Sequence, residues 1–281
     1  MEHDVEMLLS HAIHAALSAG AEILDVYCQP DVEVEFKSDN SPLTMADRRA
    51  HSIISDCLKI TNIPVLSEEG VNVPYAQRKM WNTLWIVDPL DGTKEFVSKN
   101  GEFCVNIALV KNHSPIAGVI YSPVSHTLWF GVVGVGAFKL EKASLTIDDF
   151  SFQSVKSAAM VLPLPKTGKS IGIVASRSHL NKETTDFIKG IQEKCGEVDV
   201  VNIGSALKFC LVADGKASVY PRYAPTCEWD TAAGHAIIKS IGGDVYQIDM
   251  KTPVVYNKEN ILNPWFIVVY PQSLVKEIFQ N

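Results

Sequence analysis

The chain has 281 residues, of which 47% are hydrophobic and 20% charged, with a net charge of −7. That length fits one large or two modest domains, with ample apolar material for a core. The acidic balance argues against a broad nucleic-acid-binding surface, so an anionic ligand needs local positive charge from a few Lys and Arg or from metal ions.

Residues 5–27 show helical apolar spacing. Glu2, Asp4 and Glu6 stand where a signal peptide would be basic, so the segment reads as an amphipathic helix rather than a leader or membrane anchor. DVEVEF (31–36) alternates like a half-buried strand, and SDNSPL is a loop. TMADRRAHSIISDCLKI is a helix with Thr44 as N-cap. IPVL is a short strand ending at Ser67-Glu68-Glu69-Gly70. TLWIV (83–87) is a strand that runs into Asp88-Pro89-Leu90-Asp91-Gly92-Thr93. FCVNIALV, PIAGVIYS, HTLWFGVV and GAFKL are consecutive strands, so the first half is helices plus a largely antiparallel sheet. The polar, turn-rich stretch 141–170 marks a boundary, giving an α+β domain over 1–145 and an α/β domain over 146–281. The second half alternates: strand IGIVAS, a helix near 179–194, strand VDVVN, a helix near 205–213, strand ASVYP and a helix near 230–241. Strands DVYQI and WFIVVY and a terminal helix complete it. The six cysteines are scattered without a CxxC pair. A zinc site or a disulfide framework is therefore disfavoured, and a reducing, cytoplasmic compartment is expected.

Asp88-Pro89-Leu90-Asp91 fits a β-turn, with Asp favoured first and Pro second. Such a turn brings its first and fourth Cα atoms within about 7 Å, so both carboxylates and the Leu90 carbonyl can reach one point. Converging carboxylates repel unless a positive charge lies between them. Donors that are all hard oxygens suit Mg²⁺ rather than Zn²⁺. Gly92 lets the backbone turn sharply, and a helix beginning at Thr93 would aim the Gly92 and Thr93 amides outward as an anion site. Further acids fall at element ends: Glu68 and Glu69 after a strand, Asp230 opening a helix in CEWDTAAGHAII, and Asp47 on the first turn after Thr44. Taken singly, each has an ordinary structural reading. Asp88 and Asp91 are turn residues, Glu68 and Glu69 a solvated loop, Asp230 a first-turn acid, and Asp47 half of a capping box. Their joint occurrence, together with a resemblance to a known family, favours a shared site. The chain has no GxxxxGK[ST] P-loop. Its D-x-x-D-G-T spacing differs from the D-x-D-G-T of phosphatases that form an aspartyl phosphate, which disfavours a covalent intermediate.

SEEG, WIVDPLDGTKEF and EWDTAAGHA, in that order and spacing, resemble the magnesium-dependent, lithium-sensitive inositol monophosphatase superfamily over nearly the whole chain. DGTKEF, SRSH, GSALKFC and YPRYAPTCEWDTAAGHAI are similar to its 3'(2'),5'-bisphosphate nucleotidase branch, whereas inositol monophosphatases tend to read DGTTNF. The resemblance implies a layered α/β/α/β/α sandwich with the site between its halves. It implies that Glu68, Asp88, the Leu90 carbonyl, Asp91 and Asp230 hold two or three Mg²⁺ ions, with Glu69 acting through water. Asp47 and the Thr93 hydroxyl would orient and deprotonate the attacking water, and the Gly92 and Thr93 amides would grip the scissile phosphate. Two divalent ions balance four carboxylates and can promote in-line attack by water without a phosphoenzyme. Lithium would displace one of the ions.

In the second half, Ser176 and His179 follow a strand end, and His179 is either an adenine contact or a surface residue. Gly204 and Lys208 frame GSALK, where Ser205 caps a helix. By resemblance Lys208 meets the second phosphate and Arg222 the ribose or a phosphate. Their ordinary readings are a solvated Lys and a structural ion pair. The implied reaction converts 3'-phosphoadenosine 5'-phosphate (PAP) to AMP and phosphate, with the sulfated nucleotide PAPS as a related substrate. An inositol monophosphatase or inositol polyphosphate 1-phosphatase is the same-class alternative. A non-catalytic metal- and nucleotide-binding protein is the other, disfavoured because neither a ligand nor the Asp47–Thr93 pair is missing. The expected partner is a small nucleotide bisphosphate, with no nucleic acid or membrane, and both monomers and homodimers occur in the family.

Overall fold

The structure, a computed structural model, describes residues 4–30, 34–36, 42–145, 151–165, 170–176 and 181–279. It opens with helix α1 (Val5–Tyr27), whose N-cap Asp4 accepts from the Glu6 and Met7 amides. A two-stranded antiparallel ribbon, β1 (Val34–Phe36) and β2 (Pro42–Thr44), leads into α2 (Met45–Leu58). Then come β3 (Val65–Ser67), the short α3 (Tyr75–Arg78), β4 (Thr83–Asp91) and the short α4 (Thr93–Val97). Four strands follow: β5 (Cys104–Lys111), β6 (Ser114–Ser122), β7 (Thr127–Val132) and β8 (Gly136–Leu140). The polar stretch holds two elements absent from the sequence reading, α5 (Phe152–Ser157) and the edge strand β9 (Met160–Leu162). The remainder is β10 (Ile171–Ser176), α6 (Lys182–Cys195), β11 (Val198–Ile203), α7 (Leu207–Ala213) and β12 (Val219–Arg222). It ends with α8 (Ala232–Ser240), β13 (Asp244–Gln247), β14 (Phe266–Val269) and one π-helical turn, Val275–Phe279.

Strands β3 to β9 form one sheet in sequence order, parallel between β3 and β4 and antiparallel elsewhere. Its central strands are apolar at almost every position because both faces are covered. Side chains alternate between faces. Trp85, Val87, Ile107, Leu109 and Val119 join Leu9, Ile13, Ala50 and Ile54 of α1 and α2 in one core. Leu84, Ile86, Ala108, Val110 and Ile120 join Phe209, Ile237 and Phe266 in a second core on the other face. The second sheet runs β11-β10-β12-β14-β13, and α7 and α8 lie between the sheets. The small residues of AAGHA explain that fit: a Cβ on Gly118 of β6 would lie 2.5 Å from the Ala233 carbonyl, and one on Gly234 would strike the Phe209 ring. A third core places Ile191 of α6 and Val275 and Ile278 of the last turn on the outer face, against Ile173, Val219 and Ile267. The five expected layers, α/β/α/β/α, are thus present. Strand β9 lies beyond residue 145 and pairs with β8 at the edge of the first sheet.

Helix α1 is long and apolar enough to cross a membrane by length and composition, with a mean hydropathy of 1.3, but 56% of that window is buried inside the fold.

Candidate active site

Strand β4 does not end in a β-turn at Asp88. It stays extended to Asp91, pairing Asp88 with Asn106 and Asp91 with Cys104 of β5. The residue in excess over its partner strand makes a β-bulge, which bends the strand and re-aims its side chains. Pro89, with no N–H to offer the ladder, sits inside the bulge where none is needed. The Asp88 carboxylate accepts from the Leu90 amide at 3.1 Å. The chain turns one step later, at Gly92, whose φ of +96° is a left-handed conformation that L side chains rarely adopt. A Cβ there would also lie 3.1 Å from the Glu102 carbonyl and 3.3 Å from the Phe103 Cα. Gly92→Ala is therefore expected to cost about 1–2 kcal/mol from backbone strain, and more from the contacts, read as a lower urea midpoint at unchanged m-value.

Asp47 is fixed by the start of α2. One of its oxygens accepts from the Thr44 amide at 2.7 Å and the Thr44 hydroxyl at 2.6 Å. Its other oxygen accepts from the Thr93 hydroxyl at 3.2 Å, and that hydroxyl lies 3.3 Å from the Leu90 carbonyl. The capping box thus does not compete with a functional role: it holds Asp47 so that its second oxygen faces Thr93.

Asp91 accepts from the Ala206 amide at 2.5 Å and the Asn106 side chain at 3.2 Å. Asp230 does not open α8. It closes the 3-10 turn Glu228–Asp230 just before it and accepts from the Cys227 amide at 2.6 Å. Oxygens of Asp88, Asp91 and Asp230 all lie within 4.8 Å of one another. Burial pushes the Asp88 carboxyl well up, and the nearby Glu68, Asp91 and Asp230 push it further. Asp230 is raised to about 8 by burial first and then by Asp91 and Glu68. Asp91 is raised by burial, but the charge of Lys208 and the Ala206 amide hold it back.

These groups share a cavity of about 270 Å³. Glu68, Asp88, Leu90, Asp91, Gly92 and Thr93 line it from the first half, and Asp230 from the second. Gly204, Ser205, Lys208 and Arg222 also line it, whereas Ser176 and Asp47 are not among the described residues that do. Lys208 is almost fully buried. Its ammonium donates to the Ser205 carbonyl at 2.5 Å and lies 5.6 Å from the Tyr220 ring centre, and burial lowers its pKa to about 8. Ser205 is not the cap of α7: the N-cap position falls on Ala206, and the Ser205 hydroxyl, one residue earlier, accepts from the Leu207 amide at 3.3 Å. Arg222 donates to the Pro225 carbonyl at 3.3 Å, while its buried Nε has no partner among the described residues. Glu69 is not among the described residues lining the cavity, and its charge acts instead on Arg48 of α2. Ser176 is the last residue of β10, and His179 lies outside the described residues. Sequence reasoning missed Asn106 and the Ala206 amide, which hold Asp91. A polar Asn in the apolar run FCVNIALV was a legible sign, whereas a backbone amide leaves no trace in a sequence.

A two-sheet, five-layer fold with an acid-lined cavity between its halves defines the class, and residues 4–273 match the inositol monophosphatase family. The chain belongs to that family. It is 40% identical to the 3'(2'),5'-bisphosphate nucleotidase CysQ of Salmonella typhimurium, over 93% of this chain and 99% of that one. The corresponding Shigella flexneri protein is 41% identical with the same coverage. The crystal structure of CysQ from Bacteroides thetaiotaomicron, a bacterial member of the inositol monophosphatase family, has a TM-score of 0.86 and 52% identity, covering 93% of this chain and 96% of that one. The extragenic suppressor protein suhB from Bartonella henselae, at 23% identity and a TM-score of 0.71 over 96% of each chain, shares the fold.

Proposed function

We propose that this chain is a magnesium-dependent 3'(2'),5'-bisphosphate nucleotidase that hydrolyses PAP to AMP and phosphate and acts on PAPS as a related substrate. The observation that carries this reading is a single cavity that sets three converging carboxylates beside two basic side chains, in a chain 40% identical to bisphosphate nucleotidases along their whole length. The donors fit the cation: all are oxygens, they converge, and Glu68 and Asp91 both disfavour the charge on Asp88 and on Asp230, which is the repulsion a hard divalent ion relieves. In this reading Glu68, Asp88, the Leu90 carbonyl, Asp91 and Asp230 hold two or three Mg²⁺ ions, Glu69 acts through water, and lithium inhibits by displacing one ion. When bound, the metal supplies positive charge for the phosphate oxygens and the leaving ribose hydroxyl.

The chain's own residues do the rest. The Thr93 hydroxyl donates to Asp47, which leaves its oxygen free to accept a proton from the attacking water; Asp47 is the final acceptor. The Gly92 and Thr93 amides bind the scissile phosphate. Lys208 and Arg222, the latter through its orphaned Nε, bind the other phosphate, with Ser176, Gly204 and Ser205 nearby and His179 on the adenine. This is a small-molecule enzyme of the cytoplasm, with the site between its two halves, 1–145 and 146–281.

The deciding experiment compares phosphate release from PAP, inositol 1-phosphate and inositol 1,4-bisphosphate at equal concentration, with Mg²⁺ and after EDTA. The expected result is a strong preference for PAP that disappears on chelation. A preference for the inositol phosphates would reassign the substrate, and no release from any of them would leave a binding protein.

A further inference from the structure

We infer that Glu228 is a positioning residue: clasped by Asn257 and Lys258, it ties the turn carrying Asp230 to helix α3 of the first half, and so sets how tightly the acidic cluster holds a divalent cation. This rests on the reading of Asp230 as a cation ligand.

Glu228 is fully buried, at 0% exposure. A carboxylate there is costly unless it is paired and hydrogen-bonded. It has three donors. One oxygen accepts from the Asn257 amide at 2.6 Å; the other accepts from the Lys258 amide at 2.8 Å and the Lys258 ammonium at 2.7 Å. Asn257 is itself buried and reaches across to the first half. Its side-chain amide donates to the Arg78 carbonyl at 2.9 Å, and its side-chain oxygen accepts from the Arg78 guanidinium at 3.1 Å. Arg78, also buried, donates in addition to the carbonyls of Lys258 and Glu259. A continuous path of hydrogen bonds thus links α3 to Glu228, which shares a single 3-10 turn with Asp230. The turn is gripped on its far side too: the Thr231 hydroxyl donates to the Glu228 carbonyl at 3.2 Å and accepts from Asn263 at 3.0 Å.

The cluster needs such a clasp. Asp88 and Asp91 come from β4 and Asp230 from the other half, and like charges at this range push the two apart. A turn held from outside keeps Asp230 in place against that push, so less of the cation's binding energy goes into closing the cluster. Glu228 is not among the described residues lining the cavity, so its influence passes through backbone position rather than contact with the ligand.

The test is calorimetric Mg²⁺ binding to the substrate-free, full-length protein, with the metal-free unfolding temperature measured on the same samples. Glu228→Gln keeps the shape but loses the charge and one acceptor. It is expected to weaken Mg²⁺ binding about tenfold, the scale of lost outer partners at metal sites, and to raise the Mg²⁺ needed for half-maximal activity in proportion. The KM for PAP at saturating Mg²⁺ should stay within about twofold. Lys139→Met, which breaks a remote pair with Glu141 and Asp214, is the stability control and should leave Mg²⁺ affinity unchanged. A folded Glu228→Gln protein with wild-type affinity, or an equal loss in the control, overturns the inference. Should Glu228→Gln not fold, Lys258→Met retains both backbone donors and must show a loss of about threefold or more, a fraction of one charge-assisted hydrogen bond. Asp230→Asn separates the two layers. Unchanged affinity there removes the ligand reading and this inference with it; lost affinity there with none lost in Glu228→Gln removes the inference alone.

Discussion

Thr93→Val is expected to lower kcat by about 10²–10⁴ while leaving the KM for PAP within a few-fold. Valine matches the shape of threonine and removes only the hydroxyl. Asp47 stays in place, because the Thr44 amide and hydroxyl hold its other oxygen. The lost structural bond accounts for about 0.5–1.5 kcal/mol of stability, whereas the expected rate loss corresponds to about 2.7–5.4 kcal/mol. The two effects therefore separate in magnitude, and thermal unfolding beside steady-state kinetics distinguishes them. Thr93→Ser should restore most of the rate. Asp47→Asn reaches the same end differently. The oxygen facing Thr44 accepts two hydrogen bonds, so the Asn carbonyl takes that side and its NH₂ turns to Thr93. A donor then faces the hydroxyl where an acceptor stood, and the proton has nowhere to go. Because the two groups act as a unit, the double variant should be little slower than either single one. Near-normal kcat in either single variant would remove the pair from the reaction.

How far the sequence discloses this site depends on how local each feature is. The α2 capping box is written in four consecutive residues and forms as read, and α1 and the central strands follow from their apolar spacing. The β4 terminus shows the limit of local reasoning. Asp88-Pro89-Leu90-Asp91 has the composition of a turn, but pairing with β5 keeps it extended and a bulge absorbs the proline, so the turn falls to Gly92. Elements α5 and β9 escape notice because each is short and owes its existence to tertiary contact: Phe152 packs on Phe130 and Phe138, and β9 pairs with β8. The meeting of Asp230 with Asp88 and Asp91 is not local at all. Asp230 lies in the other half from Asp88 and Asp91 of β4, and it is the family resemblance that joins it to them ahead of the fold. The Glu228 clasp, made largely from backbone amides of residues 257 and 258, has no counterpart in any sequence pattern.

Asp88→Asn should move activity and metal-free stability in opposite directions. Asp88 is buried among Glu68, Asp91 and Asp230, and burial and repulsion both disfavour its charge. Asparagine keeps the oxygen that accepts from the Leu90 amide and removes the charge. Without Mg²⁺ the variant should therefore unfold at a higher temperature than wild type, by a few degrees for about 1 kcal/mol of relieved repulsion. Saturating Mg²⁺ should reverse the order. A ligand at 100 times its Kd stabilises by about 2.7 kcal/mol, and that gain should shrink in the variant. Activity should fall by about 10³ or more, since metal-borne charge contributes several kcal/mol to such a transition state. An acid that only braces the fold behaves differently, because its loss lowers stability with and without metal alike. A variant that melts lower than wild type in EDTA, yet gains as much from Mg²⁺, would show that Asp88 supports the strand and holds no cation.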